Sequence, residues 1–381
     1  MEHVAETVEH SQPEQIKALT GIRGLAAFWV MLLHLQNYRP HGLLGVAGLR
    51  QLSRDGWLAV DLFFVLSGFI MMHVHGFDFV RPSLDRAKRF YLLRFIRIYP
   101  VHFVVLVLHV PLRLLALWAG KAVSASAFSS HSFLLSLFML NGWGFPGSDG
   151  WNVPSWSVSS EWFAYLLFPL TAAAVHRVRT RRLALAIGIA ILVSALVLGG
   201  FVSDWRQYML PFWGVLVRVS TEFALGCLAY RFYTRPIRPG TAELAAELSL
   251  AAIVGISLMS LRATFNVLTI AAFVTLIIGL SQANGPVASV MKSRIMVYFG
   301  RISYSAYIVH ALVLAVYARA IQGIASNAGL GIETLIVIGF AVLVVASAHV
   351  LYSMVEEPAR RWLRGALIHP AVPPEAAMPS D

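Results

Sequence analysis

Residues 19–38, LTGIRGLAAFWVMLLHLQNY, form a stretch of twenty residues with a single charged side chain, Arg23. An α-helix needs about twenty predominantly apolar residues to cross the hydrocarbon core of a bilayer. Comparable apolar windows recur along the whole chain. The stretch therefore predicts a membrane-spanning helix, and together with the other windows it predicts an all-α, polytopic bundle of such helices.

The composition agrees with a membrane domain. Hydrophobic residues make up 58% and charged residues 13% of the 381 residues, and the mean hydropathy is +0.69. A soluble protein carries about 25% charged residues. The net charge of +11 falls in short loops between apolar windows, so we expect no nucleic-acid partner. Cys227 is the only cysteine, which excludes an intrachain disulfide and a cysteine-based metal site.

The apolar windows predict about ten spans. They cover approximately residues 19–38, 57–75, 92–119, 156–175, 183–202, 208–230, 244–261, 264–282, 298–319 and 331–356. The apolar stretch at 131–140 is too short to cross and is expected to be re-entrant or interfacial. We expect a cytoplasmic tail at 1–18, a transmembrane domain at 19–357 and a second cytoplasmic tail at 358–381. The first span is expected to be an uncleaved anchor.

Loop charges predict that both termini are cytoplasmic. With the N-terminus inside, the inner loops and tail hold most of the basic residues, as the positive-inside rule requires. These are Arg81, Arg86, Lys88, Arg89, Arg177, Arg179, Arg181, Arg182, Arg235, Arg238, Lys292, Arg294, Arg360, Arg361 and Arg364. The outer loops hold fewer: Arg39, Arg50, Arg54, Lys121, Arg206 and Arg262.

Ionisable side chains within spans are costly and mark functional paths. Arg23 and His34 are eleven residues apart, which places them on nearly the same helix face, about 16 Å apart along the axis. One interpretation is an anion contact at Arg23 and a general base at His34. The other is a snorkelling arginine and a packing histidine. Asp61, near the outer start of the second span, is expected at the depth of His34, where it could hold the imidazole tautomer or cap its own helix.

Two further segments carry charge into spans. Arg94 and Arg97, in RFYLLRFIRIYP, share a helix face on the inner side. They could bind the phosphates of a nucleotide-containing acyl donor or anchor the chain to anionic lipid. Glu161, in WNVPSWSVSSEWFAYLLFP, enters the fourth span from outside, beside tryptophans and serines, and is expected in the outer half of the membrane. It could contact an acceptor hydroxyl or a catalytic partner, or help to cap its helix.

Weaker signals come from the last two spans and from the second. His310, in GRISYSAYIVH, is as consistent with packing as with a site. Glu356 and Glu357, in VEEP, are expected to pair with nearby arginines. Ser67 and Gly68 are expected to pack in a contact between helices. No set of ligands has the spacing of a metal site.

Six of these motifs occur in one order: ALTGIRGLAAFWVMLLH, GWLAVDLFFVLSGFI, RFYLLRFIRIYP, VPSWSVSSEWFAYLLFP, GRISYSAYIVH and VEEP. In this order they resemble the acyltransferase-3 family of bacterial membrane O-acyltransferases, over residues 18 to 358. The resemblance implies a multi-pass protein of the bacterial inner (plasma) membrane. Many relatives carry an extra hydrolase-like domain at the C-terminus. Only a short tail follows the last predicted span here, so the chain resembles the stand-alone members.

The resemblance also implies a chemistry. It implies acyl transfer, with acetyl expected, from acyl-CoA to a hydroxyl of a carbohydrate or glycoside. The family's Arg-x10-His pattern matches Arg23 and His34, and its third-span arginines match Arg94 and Arg97. We therefore expect a catalytic group of His34, Asp61 and Glu161, with the donor phosphates near Arg23, Arg94 and Arg97. No cofactor is expected to be bound permanently. The alternative is a proton-coupled transporter or flippase of a glycan or lipid-linked precursor.

Overall fold

A computed structural model of the chain describes residues 15–39, 43–81, 83–120, 128–148, 150–201, 212–259, 266–324 and 328–368. Within these ranges every regular element is helical, which confirms the predicted all-α class. Two parts of the predicted tails lie outside these ranges: residues 1–14, and the Pro- and Ala-rich residues 369–381. The first part of the second tail, up to Ile368, is helical.

Fourteen α-helices follow one another in the described ranges. They are α1 (Lys17–Tyr38), α2 (Ala47–Arg54), α3 (Leu58–His75), α4 (Leu84–Trp118), α5 (Ser130–Leu137), α6 (Ser155–Arg177), α7 (Arg181–Phe201), α8 (Phe212–Tyr233), α9 (Pro239–Leu258), α10 (Asn266–Gln282), α11 (Pro286–Lys292), α12 (Arg294–Ala320), α13 (Leu330–Leu351) and α14 (Glu357–Ile368). A π-helical turn, Tyr352–Glu356, joins α13 to α14.

Seven segments of the described chain are long and apolar enough to cross a membrane. They are Lys17–Tyr38, Ala47–Phe79, Leu84–Trp118, Ser155–Arg177, Pro239–Leu258, Arg294–Ala320 and Leu330–Leu367. The pair α10 and α11, bent by 77°, makes an eighth if it counts as one span. Helices α7 and α8 coincide with two more predicted spans. The count of ten and the cytoplasmic termini remain predictions. At eight residues, α5 is too short to cross, as expected.

Large apolar side chains cover the outside of the bundle. Leu170 is 69% exposed, Leu335 is 68% exposed and Leu185 is 55% exposed. Exposed apolar surface of this extent is unfavourable in water, but it costs nothing against lipid tails. The exposed leucines are therefore those expected of a bundle solvated by lipid.

Two glycines set a close contact between α3 and α8. A Cβ atom at Gly226 of α8 would lie 1.8 Å from the carbonyl oxygen of Val65, and one at Gly68 of α3 would lie 2.0 Å from that of Phe223. Only glycine lets the two backbones approach so closely. The prediction that Gly68 packs between helices is confirmed. Its neighbour Ser67 has a different role, described below.

Helices α1 and α12 lie side by side and run in the same direction. At one end, Gly300 packs against the backbone of Thr20. At the other end, the Tyr38 hydroxyl donates a hydrogen bond of 2.7 Å to the carbonyl oxygen of Ala318. This alignment places residues near 34 on α1 at the level of residues near 310 on α12.

Candidate active site

A cavity of about 120 Å³ lies among α1, α3, α4, α6 and α12. Its lining brings together four of the six predicted site residues, which come from three helices. The charged lining residues are Arg23, Arg94, Arg97 and Glu161. The sequence predicts the arginines on the inner side of the membrane and Glu161 in the outer half. In the structure they line the same cavity, so they are not separated as predicted. His34 and Asp61 do not line it.

Glu161 accepts two hydrogen bonds at the cavity wall. The hydroxyls of Ser67 and Tyr165 each lie 2.5 Å from its Oε1 atom. Tyr165 is four residues further along α6, so both side chains share one helix face. Ser67, expected to be a packing residue, reaches Glu161 from α3. Two O–H donors on one oxygen stabilise a carboxylate that faces the cavity.

The serines around Glu161 hold a neighbouring loop. Ser155 accepts a hydrogen bond of 2.9 Å from Asn141, Ser159 donates one of 2.5 Å to the Met139 carbonyl, and Ser160 donates one of 3.0 Å to the Gly142 carbonyl. None of the three caps α6, which has no side-chain cap. Of the four serines in the motif, Ser157 lines the cavity.

Each of the two α4 arginines has a partner. Arg97 forms an ion pair with Glu356 of the π-helical turn, and Ser305 donates a hydrogen bond of 2.6 Å to the same carboxylate. Arg94 donates one of 3.2 Å to His75 Nε2. The expected pairing of Glu356 and Glu357 with arginines is confirmed, since Glu357 pairs with Arg360 and Arg361.

His34 lies next to His310. The sequence is equally consistent with a packing role and a functional role for His310. The two ring centroids are 4.8 Å apart, with the rings edge to face. His34 Nδ1 is 2.9 Å from the Val30 carbonyl oxygen. Because a carbonyl oxygen only accepts, Nδ1 carries the proton and Nε2 presents a free lone pair. This tautomer is the one that a general base or a nucleophile needs.

The predicted pairing of Asp61 with His34 is wrong. This fully buried carboxylate accepts a hydrogen bond of 2.9 Å from Nε of Arg218 on α8, and the expected hydrogen bond to His34 is not formed. A buried carboxylate binds a guanidinium more strongly than a neutral imidazole, because the hydrogen bonds are charge-assisted. Asp61 therefore cannot hold the His34 tautomer directly, and Val30 does so instead.

Arg218 and Glu222 are the polar residues that the sequence analysis missed. Both are buried, and Glu222 Oε1 lies 3.5 Å from Arg218 Nε. The Arg218 guanidinium lies 5.7 Å from the ring centroid of Trp57 and 5.9 Å from that of Trp156. An arginine and a glutamate four residues apart within an apolar span were the available signal.

No group of three or more His, Cys, Asp or Glu side chains in the described part of the chain is placed to hold a metal ion. The cavity instead presents arginines, hydroxyls and one carboxylate. Such a set can bind a polyanion and accept a proton, which are the two requirements of transfer from a phosphate-bearing donor.

The sequence profile of the acyltransferase domain matches residues 16–352. The chain belongs to the acyltransferase-3 family. It is therefore an acyl-transferring enzyme rather than a carrier, and its apolar helices and family indicate a multi-pass membrane protein. The match ends at the start of the π-helical turn, so Glu356 and α14 lie beyond it.

Two bacterial relatives align with this acyltransferase over most of both lengths. Acyltransferase MdmB from Streptomyces mycarofaciens is 27% identical, over 92% of each chain. Exopolysaccharide production protein ExoZ from Rhizobium meliloti is 27% identical, over 87% of this chain and 95% of the relative. No solved structure matches the chain.

Proposed function

We propose that this acyltransferase moves an acetyl group from acetyl-CoA to a hydroxyl of a cell-surface or exported carbohydrate or glycoside, in the bacterial inner membrane. The observation that carries the proposal is the convergence of Arg23, Arg94 and Arg97 with Glu161 on one cavity. Three cations in an apolar bundle favour a ligand with several phosphates. The relative named for exopolysaccharide production supports a carbohydrate acceptor.

The donor would lie with its phosphates at the arginines and its thioester towards His34. Tyr307 lines the cavity, and its ring centroid is 5.6 Å from that of His310, which in turn contacts His34. The reacting end of the donor would therefore lie near Tyr307. Arg23 and His34 are about 16 Å apart along α1, a separation that suits a donor whose phosphates and acyl group are at opposite ends of a long arm.

Two routes use the free lone pair of His34. In the first, Nε2 takes the proton of the acceptor hydroxyl while the hydroxyl oxygen attacks the thioester carbonyl. The carbon–sulfur bond then breaks, and the imidazolium returns the proton to the thiolate of CoA. In the second, Nε2 itself attacks the carbonyl and releases the CoA thiolate, and the acceptor hydroxyl then displaces the imidazole and gives its proton to that thiolate. Glu161 would bind the acceptor hydroxyl in either route.

The function is tested by transfer of label. The purified protein in detergent is incubated with radiolabelled acetyl-CoA and a panel of undecaprenyl-linked and soluble glycans. We expect base-labile label on one class of glycan, as an O-ester requires. Label that transfers from another acyl-CoA but never from acetyl-CoA would overturn the choice of acetyl. Absence of binding by any acyl-CoA would overturn the donor class.

Glu161→Gln is expected to lower kcat about 100-fold, because the amide keeps the shape of the side chain but loses the charge that binds and orients the acceptor hydroxyl. Donor affinity should change little, since the phosphates are bound elsewhere. The measurement is the steady-state rate with acetyl-CoA varied. Ser67→Ala, which removes one of the two hydroxyl donors to Glu161, should cost less than tenfold. Equal losses in both variants would contradict a chemical role for the carboxylate.

Arg94→Gln is expected to weaken acetyl-CoA binding about 10- to 100-fold, the range for a lost charge-assisted hydrogen bond. The value of kcat at saturating donor should stay within a few-fold of wild type. Equilibrium binding of CoA to the purified protein measures the effect. Arg86→Gln, an exposed arginine on the same helix, is the matched control and should leave affinity unchanged. Equal weakening by both substitutions would indicate general surface electrostatics rather than a site.

A further inference from the structure

Helix α14 is fixed at its start to a residue of the cavity. Glu356, in the π-helical turn before α14, is 2% exposed and pairs with Arg97 and Ser305. Single π-helical turns occur frequently at functional sites. The ion pair between Glu356 and a cavity-lining arginine holds α14 next to the arginine end of the cavity.

The face that α14 turns to the bundle carries arginines. The helix packs on α4, and its residues 360 and 364 are one turn apart on one side. Arg360 pairs with Glu357, whereas the Nε atom of Arg364 is buried without a hydrogen-bond partner in the described chain. Arg361 points the other way, with 73% of its side chain exposed. A buried guanidinium N–H without an acceptor is costly, so this N–H favours the binding of an anion beside it.

The charges of this face add to those of the cavity. Arg364 lies close enough to Arg94 for the two charges to interact, and Arg360 is similarly close to Arg97. With Arg23, five guanidinium groups converge on this end of the cavity. Glu356, Glu357 and Glu161 offset three of them, which leaves two guanidinium charges in excess. The excess positive charge favours a ligand with more phosphates than the cavity arginines alone could bind.

We propose that α14 supplies a second phosphate subsite, in which Arg364, supported by Arg360, binds the terminal phosphomonoester of the donor's nucleotide. The inference rests on the proposed use of acyl-CoA. From the acyl group outwards, acyl-CoA carries first a diphosphate and then a 3′-phosphate on the ribose. From Glu161 outwards, the protein offers first Arg94 and Arg97 and then the α14 pair. The same order in ligand and protein assigns the diphosphate to α4 and the 3′-phosphate to α14.

The test compares CoA with 3′-dephospho-CoA, by equilibrium binding to the full-length protein in a neutral detergent. Wild type should bind CoA about 10- to 100-fold more tightly, the range for charge-assisted hydrogen bonds to one phosphate. Arg364→Gln should reduce this preference to within about twofold while its affinity for 3′-dephospho-CoA stays that of wild type. Arg361→Gln, on the exposed face of the same helix, should keep the full preference.

Three results would overturn the subsite while leaving acyl-CoA as the donor. Wild type could bind both ligands equally, or Arg364→Gln could keep the preference for CoA. Phosphatidylglycerol could also raise the thermal stability of wild type but not of Arg364→Gln, with no effect of the 3′-phosphate, which would assign the arginine to a lipid headgroup. Binding of neither nucleotide by wild type would instead reject acyl-CoA as the donor, and the subsite would fall with it.

Discussion

His34→Ala is expected to lower the rate of acyl transfer on the order of 10³-fold with little loss of donor affinity. The free lone pair on Nε2, set by the hydrogen bond from Nδ1 to the Val30 carbonyl, is the group that would take the acceptor proton or form the acyl-imidazole. Removing it removes either route. Arg23, Arg94 and Arg97 remain in place to hold the phosphates. The measurement is single-turnover transfer at saturating acetyl-CoA, together with equilibrium binding of CoA.

The matched control is His109→Ala. His109 on α4 is buried, and its Nδ1 lies 2.8 Å from the carbonyl of Val105, four residues earlier, as in His34. It does not line the cavity. We expect near-normal transfer in this variant. A similar loss in both would show that the rate reports helix packing and would reject His34 as the reacting group. Acid-quenched protein that carries label on His34 would favour the acyl-imidazole route.

The elements that could be predicted from the sequence are those that depend on local pattern. Apolar windows locate the helices because the length needed to cross a bilayer is fixed. The stripe that joins Arg23 and His34 follows from helical periodicity alone, and α1 covers both residues. Arginines that closely follow Glu356 and Glu357 in the sequence suggested an ion pair for Glu356, although its partner, Arg97, is 259 residues away.

What could not be predicted is which helices meet. The Asp61–Arg218 pair joins residues 157 positions apart, and no periodicity relates α3 to α8. Asp61 and His34 are predicted at the same depth in the membrane, which suggested that they pair. The direction in which a side chain points from its helix matters as well, and the Asp61 side chain points towards α8. Glu161 was likewise assigned to the outer half from the start of its span. It lies six residues inside α6, about 9 Å along the axis, where it reaches the arginine cavity.

Arg218→Met is expected to destabilise the protein by about 3–5 kcal/mol, the cost of breaking a buried ion pair by removal of one partner. Asp61 and Glu222 would then be buried carboxylates without their cation. Oxygen atoms of both already lack hydrogen-bond partners in the described chain, so no other donor is present to replace the guanidinium. Thermal unfolding in detergent should show a clear decrease in the midpoint, with loss of activity as a consequence.

Neutralising the carboxylates tests the cause of that loss. In the triple variant Arg218→Met, Asp61→Asn and Glu222→Gln, no charge remains in this buried cluster, and replacing a buried ion pair with groups of similar volume is often neutral for stability. We therefore expect most of the lost stability to return. If it does, transfer is then measured in the triple variant. Full activity would make Asp61 a structural partner of Arg218 and remove it from the catalytic group. A stable but inactive protein would show that the reaction needs this cluster of Asp61, Arg218 and Glu222. If stability does not return, the methionine does not fill the space between Trp57 and Trp156. The contribution of Arg218 to stability would then come more from its contacts with the two indole rings than from its pairing with the carboxylates.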